Sequence, residues 1–124
     1  MNQSLIRNVR ESDIPEIIEI YNPFITKTTV SFEEEPVSAQ EMQRRIRQVQ
    51  DQGLPWLCIE VEDKVAGYAY ASRWRERPAY RFTVETTIYL GPTYTGRGIG
   101  RSLYSTLLEQ VRALGMHQVI AVIT

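Results

Sequence analysis

The sequence holds one cysteine and one histidine, and that scarcity removes several chemistries at once. Cys58 cannot close an internal disulfide. With His117 as the single imidazole there is no cluster at zinc-ligand spacing, and no run of carboxylates resembles a calcium loop, so no metal is expected. Cys58 stands in the apolar run Trp56-Leu57-Cys58-Ile59, which reads as a buried strand in which the thiol packs rather than reacts. No stretch approaches the roughly eighteen apolar residues of a membrane span, and the N-terminus lacks a basic segment followed by an apolar one. Neither membrane insertion nor export is expected, and the cytoplasm is the expected compartment. An excess of one charge is lacking too: fourteen Lys and Arg face fifteen Asp and Glu. No net field draws this chain to nucleic acid or to an anionic membrane.

What is present is an ordinary globular composition, 43% hydrophobic and 23% charged over 124 residues, enough for one packed domain over 1–124. Residues 4–9 read as a strand. Asp13 and Glu16, three apart, signal the start of a helix carrying Ile14, Ile17, Ile18 and Tyr21. After Asn22-Pro23 the polar, Thr-rich segment 24–36 has no sustained period and reads as a loop or broken helix. Ser38 and Glu41 form a capping box for a helix over 39–51, with Gly53 as its stop. Residues 56–62 and 65–74 read as a hairpin on an Asp63-Lys64 turn, 73–81 as a charged loop, and 82–90 as a third strand. A helix follows to about 114, with Ile99, Leu103, Leu107, Val111 and Leu114 on one face and Gly115 closing it; 117–123 is a strand again. The expected fold is α+β, a mostly antiparallel mixed sheet flanked by helices. The last apolar strand has nothing after it to cover its edge, so a longer natural chain is expected.

The segment Tyr94-Thr95-Gly96-Arg97-Gly98-Ile99-Gly100-Arg101 joins a strand to a helix. Glycines there allow close main-chain approach, and the helix start offers unpaired N–H groups at the positive end of a dipole, a setting for a pyrophosphate. A nucleotide-hydrolysing P-loop is excluded because Arg97-Gly98 stands where Lys-Ser or Lys-Thr is required. A dinucleotide fingerprint is excluded because the glycines run G-x-G-x-G and follow antiparallel strands. A tight turn with no ligand is the plain alternative.

Arg97-Gly98-Ile99-Gly100 with the helix behind it, after Glu85-Thr86-Thr87-Ile88-Tyr89-Leu90, resembles the acetyl-CoA motif Q/R-x-x-G-x-G/A of the GNAT acetyltransferases. Thr95 departs from it, standing where the motif has Gln or Arg. The order of elements resembles that fold through its fifth strand. Ile20-Tyr21-Asn22, the stretch from Thr28 through Glu33, Trp74-Arg75-Glu76-Arg77-Pro78-Ala79-Tyr80-Arg81 and Val84-Glu85-Thr86-Thr87-Ile88-Tyr89 resemble the branch of phosphinothricin and methionine sulfoximine or sulfone N-acetyltransferases. The resemblance implies acetyl-CoA as co-substrate, a small amino-acid acceptor and a homodimer. It also implies a further helix and two strands beyond Thr124, commonly contributing a tyrosine acid; Tyr89, Tyr94 and Tyr104 are therefore not assigned that role.

Acyl transfer to an amine needs a base, because an α-amino group is mostly protonated at neutral pH. Glu85, in an apolar and hydroxyl-bearing strand, is the candidate, a sheet carboxylate facing solvent or paired with an arginine such as Arg81 being the plain alternative. Ile88, Tyr89 and Leu90 would offer backbone to the pantetheine arm and an N–H to the oxyanion. Gly96, Arg97, Gly98, Ile99, Gly100 and Arg101 would hold the pyrophosphate. Phe32, Glu33, Arg75, Tyr80 and Arg81 would contact the acceptor, the arginines matching its acidic group. Arg77 and Glu34-Glu35 read as solvated charge, and His117 as structural. The rival reading is a CoA-binding sensor or interaction module that does not turn over.

Overall fold

The computed structural model describes residues 4–26, 37–73, 83–91, 94, 98–116 and 118–122. Strand β1 (Ser4–Asn8) leads through a 3-10 turn (Glu11–Asp13) into helix α1 (Ile14–Thr26). Helix α2 (Ala39–Asp51) precedes strands β2 (Trp56–Val61), β3 (Lys64–Arg73) and β4 (Thr83–Leu90), and helix α3 (Ile99–Ala113) returns the chain to strand β5 (Gln118–Val122). The strands lie side by side in sequence order, antiparallel from β1 to β4, with β5 parallel to β4. A parallel neighbour cannot be reached by a hairpin, and α3 supplies the crossover. The expected α+β fold with its mixed sheet is what forms.

Side-chain alternation sorts the sheet into two faces. Tyr89 of β4 meets Tyr21 of α1 edge-on at 5.3 Å, so its face is covered by α1 and α2. Thr86, one face over, reaches Tyr104 of α3. Leu103, Leu107 and Val111 of α3 are fully buried on that second face, and Met42, Ile46 and Val49 of α2 are buried on the first.

Both expected glycine stops close their helices by one mechanism. Gly53 and Gly115 adopt positive φ, 75° and 85°. Their N–H groups reach Gln50 and Arg112 carbonyls at 2.9 Å, while Leu54 and Met116 reach back to Val49 and Val111. This pair of bonds satisfies carbonyls that a helix end leaves open. Leu114, expected on the buried face, is 49% exposed; the reversal at Gly115 turns Met116 into the core instead.

Three local expectations are corrected. The hairpin turn is Glu62-Asp63, both at positive φ (54° and 65°), and Lys64 already pairs with Val61. Two consecutive left-handed residues are what a two-residue hairpin turn needs, and the flanking register puts them one position earlier. Helix α1 runs through Pro23 to Thr26, and Asn22 Oδ1 accepts the Val37 N–H at 2.9 Å, tying this end to the approach to α2; residues 27–36 lie outside the described ones. Asp13 and Glu16 do not cap each other's turn. Asp13 accepts the Arg10 N–H at 2.7 Å and both Arg7 terminal nitrogens at 2.7 and 2.8 Å, while Glu16 accepts the Val65 N–H of β3 at 2.6 Å. Arg7 Nε lies 3.1 Å from Glu60, an ion pair without hydrogen-bond alignment. These carboxylates fasten α1 to the sheet.

Candidate active site

Among the described residues helix α3 starts without a side-chain cap. Its N-cap residue Gly98 sits at φ 77°, offers no side chain, and has no acidic residue in the turn that follows. A Cβ built at Gly98 would meet nothing within 4 Å, so the residue is glycine for its left-handed backbone and the space beside it stays open. The Gly98 carbonyl takes the Ser102 N–H at 3.3 Å, the first bond of the helix. By helix geometry the amides of Ile99, Gly100 and Arg101 then have no intrahelical acceptor. Exposed Arg101 adds a positive charge at the positive end of the dipole, a placement that favours a bound anion.

Gly100 has a different reason to be glycine. A Cβ there would lie 2.9 Å from Leu90 Cδ1, and one at Gly67 would lie 2.6 Å from Leu90 Cδ2 and 2.8 Å from the Tyr89 carbonyl. Leu90 fills a gap that two glycines keep open, locking the start of α3 to the end of β4. Gly67 escaped the sequence reading, although a glycine inside a strand pattern signals such close approach. Nearby, β3 bulges at Ala66, since Ile59 pairs with Gly67 and Glu60 with Val65. The Ala66 carbonyl accepts the Gly91 N–H at 2.8 Å, which fixes where the chain leaves β4. Gly96 and Arg97 lie outside the described residues.

Glu85 points to the α1 face. It alternates with Thr86, whose hydroxyl meets α3, and shares its side of β4 with Thr87 and Tyr89. Its cross-strand partner is Ser72, and the next pairs along the face are Tyr70 with Thr87 and Tyr68 with Tyr89. Trp56 stacks on Tyr70 at 4.1 Å, Tyr68 lies 5.4 Å from Tyr89, and the Arg45 guanidinium stands 5.9 Å over Tyr21. The partly exposed Glu85 therefore borders a continuous aromatic cluster, of which Tyr70 is half-buried and Trp56, Tyr68, Tyr21 and Tyr89 are buried. Burial pushes the Tyr70 phenol up to about 12, so it acts as a neutral hydrogen-bonding group. Tyr68 and Tyr70 were not expected here, although the Tyr-x-Tyr alternation of β3 carries the signal; Tyr21 and Trp56 were expected as a helix-face and a strand residue but not as neighbours of Glu85. The side chains expected to contact an acceptor, Phe32, Glu33, Arg75, Tyr80 and Arg81, all fall outside the described residues.

The backbone of β4 completes the site. Ile88, Tyr89 and Leu90 pair with β3 on one edge, whereas among the described residues the β5 ladder ends at Thr87 and Val122. Tyr89 is 8% exposed with its ring in the core, so the main chain is what it can offer a ligand. The strand thus leads from Glu85 along a stretch with no described strand on its outer edge to the bare start of α3.

The family model for the acetyltransferase (GNAT) family matches residues 14–124. The chain belongs to that family. It is 43% identical over 116 residues to the phosphinothricin N-acetyltransferase of Alcaligenes faecalis, covering 94% of this chain and 59% of that protein. To the L-methionine sulfoximine/L-methionine sulfone acetyltransferase of Pseudomonas paraeruginosa it is 34% identical over 119 residues, covering 95% and 69%. The solved phosphinothricin acetyltransferase of Sinorhizobium meliloti, in complex with acetyl-CoA, superposes with a TM-score of 0.91 at 41% identity, covering 97% of this chain and 65% of that one. The chain thus spans about three fifths of the length of its first relatives.

Other features of this GNAT chain are structural. Cys58 is fully buried and free, and burial, aided by the Asp13 charge, pushes its thiol up to about 12. That excludes a thiolate nucleophile at neutral pH. Among the described residues no group of three His, Cys, Asp or Glu could hold a metal ion, and no helix is long and apolar enough to cross a membrane. A groove of about 470 Å³ lies along Gln40, Gln43, Arg47, Asp51 and Gln52 on the outer side of α2.

Proposed function

We propose that the chain carries the core of an N-acetyltransferase that moves an acetyl group from acetyl-CoA to the amino group of a small amino-acid-like acceptor of the phosphinothricin or methionine sulfoximine kind. The observation that carries this reading is the juxtaposition on β4 of Glu85, on the side of the aromatic cluster, with a strand end that runs toward a start of α3 bearing no side-chain cap among the described residues. Acetyl-CoA supplies the acetyl group as a thioester, already activated toward an amine. Its diphosphate fits the amides of Ile99, Gly100 and Arg101, with Gly96, Arg97 and Gly98 giving close main-chain approach. The outer edge of Ile88, Tyr89 and Leu90 fits the amide-bearing arm as an added strand would.

Glu85 takes a proton from the acceptor ammonium, directly or through water, so that the amine can attack. A backbone N–H at Tyr89 or Leu90 stabilises the charge that develops on the carbonyl oxygen. As that intermediate collapses the C–S bond breaks, CoA leaves as its thiolate or takes up a proton from solvent, and the new amide nitrogen gives up its extra proton to solvent. Phe32 and Tyr80 wall the acceptor, with Glu33 beside them, and Arg75 or Arg81 reads its acidic group. On this reading the enzyme is a cytoplasmic homodimer with residues 24–36 near the partner or the pocket mouth, and a monomer by sedimentation at micromolar concentration would refute the oligomeric part.

The deciding experiment is a thiol-release assay with acetyl-CoA against phosphinothricin, methionine sulfoximine, methionine sulfone and plain amino acids, run on the parent and Glu85→Gln proteins. The parent should turn over, and the variant should lose about two to four orders of magnitude in kcat with binding retained. Its kcat/KM profile should keep only the amine's own ionisation. Full kcat with an unaltered pH profile would remove Glu85 from the mechanism. Acetyl-CoA binding without turnover on any acceptor would favour the sensor reading. Substituting Arg75 or Arg81 should raise the acceptor KM more than that of acetyl-CoA; equal effects would make them structural.

A further inference from the structure

Helix α3 is fastened to β4 at two places. The first is the apolar contact already described, Leu90 between Gly67 and Gly100. The second is polar: Tyr104 OH and Thr86 Oγ1 lie 2.7 Å apart, and Thr86 is fully buried. Residues 100 and 104 are one turn apart and share a side of the helix, while residues 90 and 86 are four apart and share a face of the strand. The stretch bracketed by the two fastenings is 87–89, which includes Tyr89 of the proposed oxyanion contact. Glu85 immediately precedes Thr86. Because neighbouring strand side chains point to opposite faces, a Thr86 hydroxyl anchored under α3 holds Glu85 toward the acceptor face.

We infer that Tyr104 is a positioning residue of the acetyl transfer: its bond to Thr86 couples the anion-binding start of α3 to the strand that carries Glu85, keeping thioester and base in mutual register. The inference rests on the transferase reading above. On this reading the Tyr104 hydroxyl acts through Thr86, to which it is bonded. A small loss of register between donor and base is enough to lower a rate while leaving both binding sites intact.

The test is a double-mutant cycle on the full chain with Tyr104→Phe and Thr86→Val, each of which removes a hydroxyl and keeps the bulk. Tyr104→Phe should lower kcat about tenfold while both KM values stay within about twofold, and the double variant should be no slower than the slower single one. The double variant removes both partners and leaves no orphaned group, so recovery of its kcat would mean that the singles suffered only from an unpaired hydroxyl and would overturn the inference. So would a Tyr104→Phe protein with parental kcat and only a lowered Tm. A second readout needs no turnover. CoA should slow amide exchange across 86–89 in the parent, and this protection should fall at least about threefold in Tyr104→Phe; undiminished protection overturns the coupling. If the parent binds CoA and never transfers acetyl, the transferase reading fails separately while the exchange experiment still decides the clasp.

Discussion

The starts of α2 and α3 show opposite treatments of the same problem. A helix leaves its first N–H groups without intrahelical acceptors and places partial positive charge there. At α2 the protein answers both: Ser38 Oγ accepts the Glu41 N–H at 3.1 Å, and Glu41 stands in the first turn. The Glu41 carboxylate also pairs with Arg44 at 2.6 Å, and the Arg44 hydrogen bond holds its pKa below the usual carboxylate range despite an opposing desolvation. At α3 neither answer is given. Gly98 has no side chain, the first turn holds no acid, and Arg101 stands exposed in it. One helix start is finished for stability; on the proposed reading the other is left open for the donor's diphosphate. The start of α1 is a third case, in which Asp13 and Glu16 spend their oxygens on the sheet and on the preceding turn.

That contrast can be tested from its most stabilising member downward. Asp13 and Arg7 have side chains only 6% and 12% exposed, so Asp13→Asn should destabilise the fold by about 3 kcal/mol in urea unfolding, the scale of breaking a buried pair. Burial works to raise the Asp13 carboxyl pKa, but the Arg7 hydrogen bonds, the Arg10 N–H and their charges outweigh it and hold it below its ordinary value. A depressed folded pKa gives stability that is complete above the ordinary aspartate range and is lost as pH falls through the lower folded value. Acid unfolding of the parent should therefore steepen below the ordinary aspartate value, and Asp13→Asn should flatten that limb; equal slopes would contradict the assignment.

A smaller effect is expected from giving α3 the cap it lacks. Asp tolerates the left-handed backbone of Gly98 better than most residues, so Gly98→Asp isolates the added charge. Acetyl-CoA affinity should fall by about tenfold or more by calorimetry while Tm holds or rises, and Gly98→Asn should lie between this variant and the parent. Unchanged affinity in Gly98→Asp would separate the α3 start from donor binding. Smallest is the removal of the cap at α2. Ser38→Ala should cost about 1 kcal/mol of stability and leave acetyl-CoA affinity unaltered. A loss of affinity there would mean that the two helix starts are not independent.

Much of this molecule was legible before folding because its signals are local. The Ser38 and Glu41 spacing, the Gly53 and Gly115 stops, the i, i+4 apolar face of Leu103, Leu107 and Val111, and the buried strand around Cys58 depend on backbone geometry within a turn or on alternation along one strand. The motif Arg97-Gly98-Ile99-Gly100 carried the family for the same reason: an uncapped, glycine-led helix start is written in consecutive residues. Tertiary structure decided what depends on distant partners. It turned Asp13 and Glu16 from a helix signal into ties to Arg7 and Val65, and it moved the hairpin turn to Glu62-Asp63 because the cross-strand register sets the turn. It separated the two glycines of the motif, leaving Gly98 open and pressing Gly100 against Leu90 beside Gly67. It also gathered Tyr21, Trp56, Tyr68, Tyr70 and Tyr89 from four elements into the aromatic cluster beside Glu85, and set Tyr104 on Thr86. No spacing along the chain encodes such contacts, because they arise only when the sheet fixes its register and the helices choose their faces.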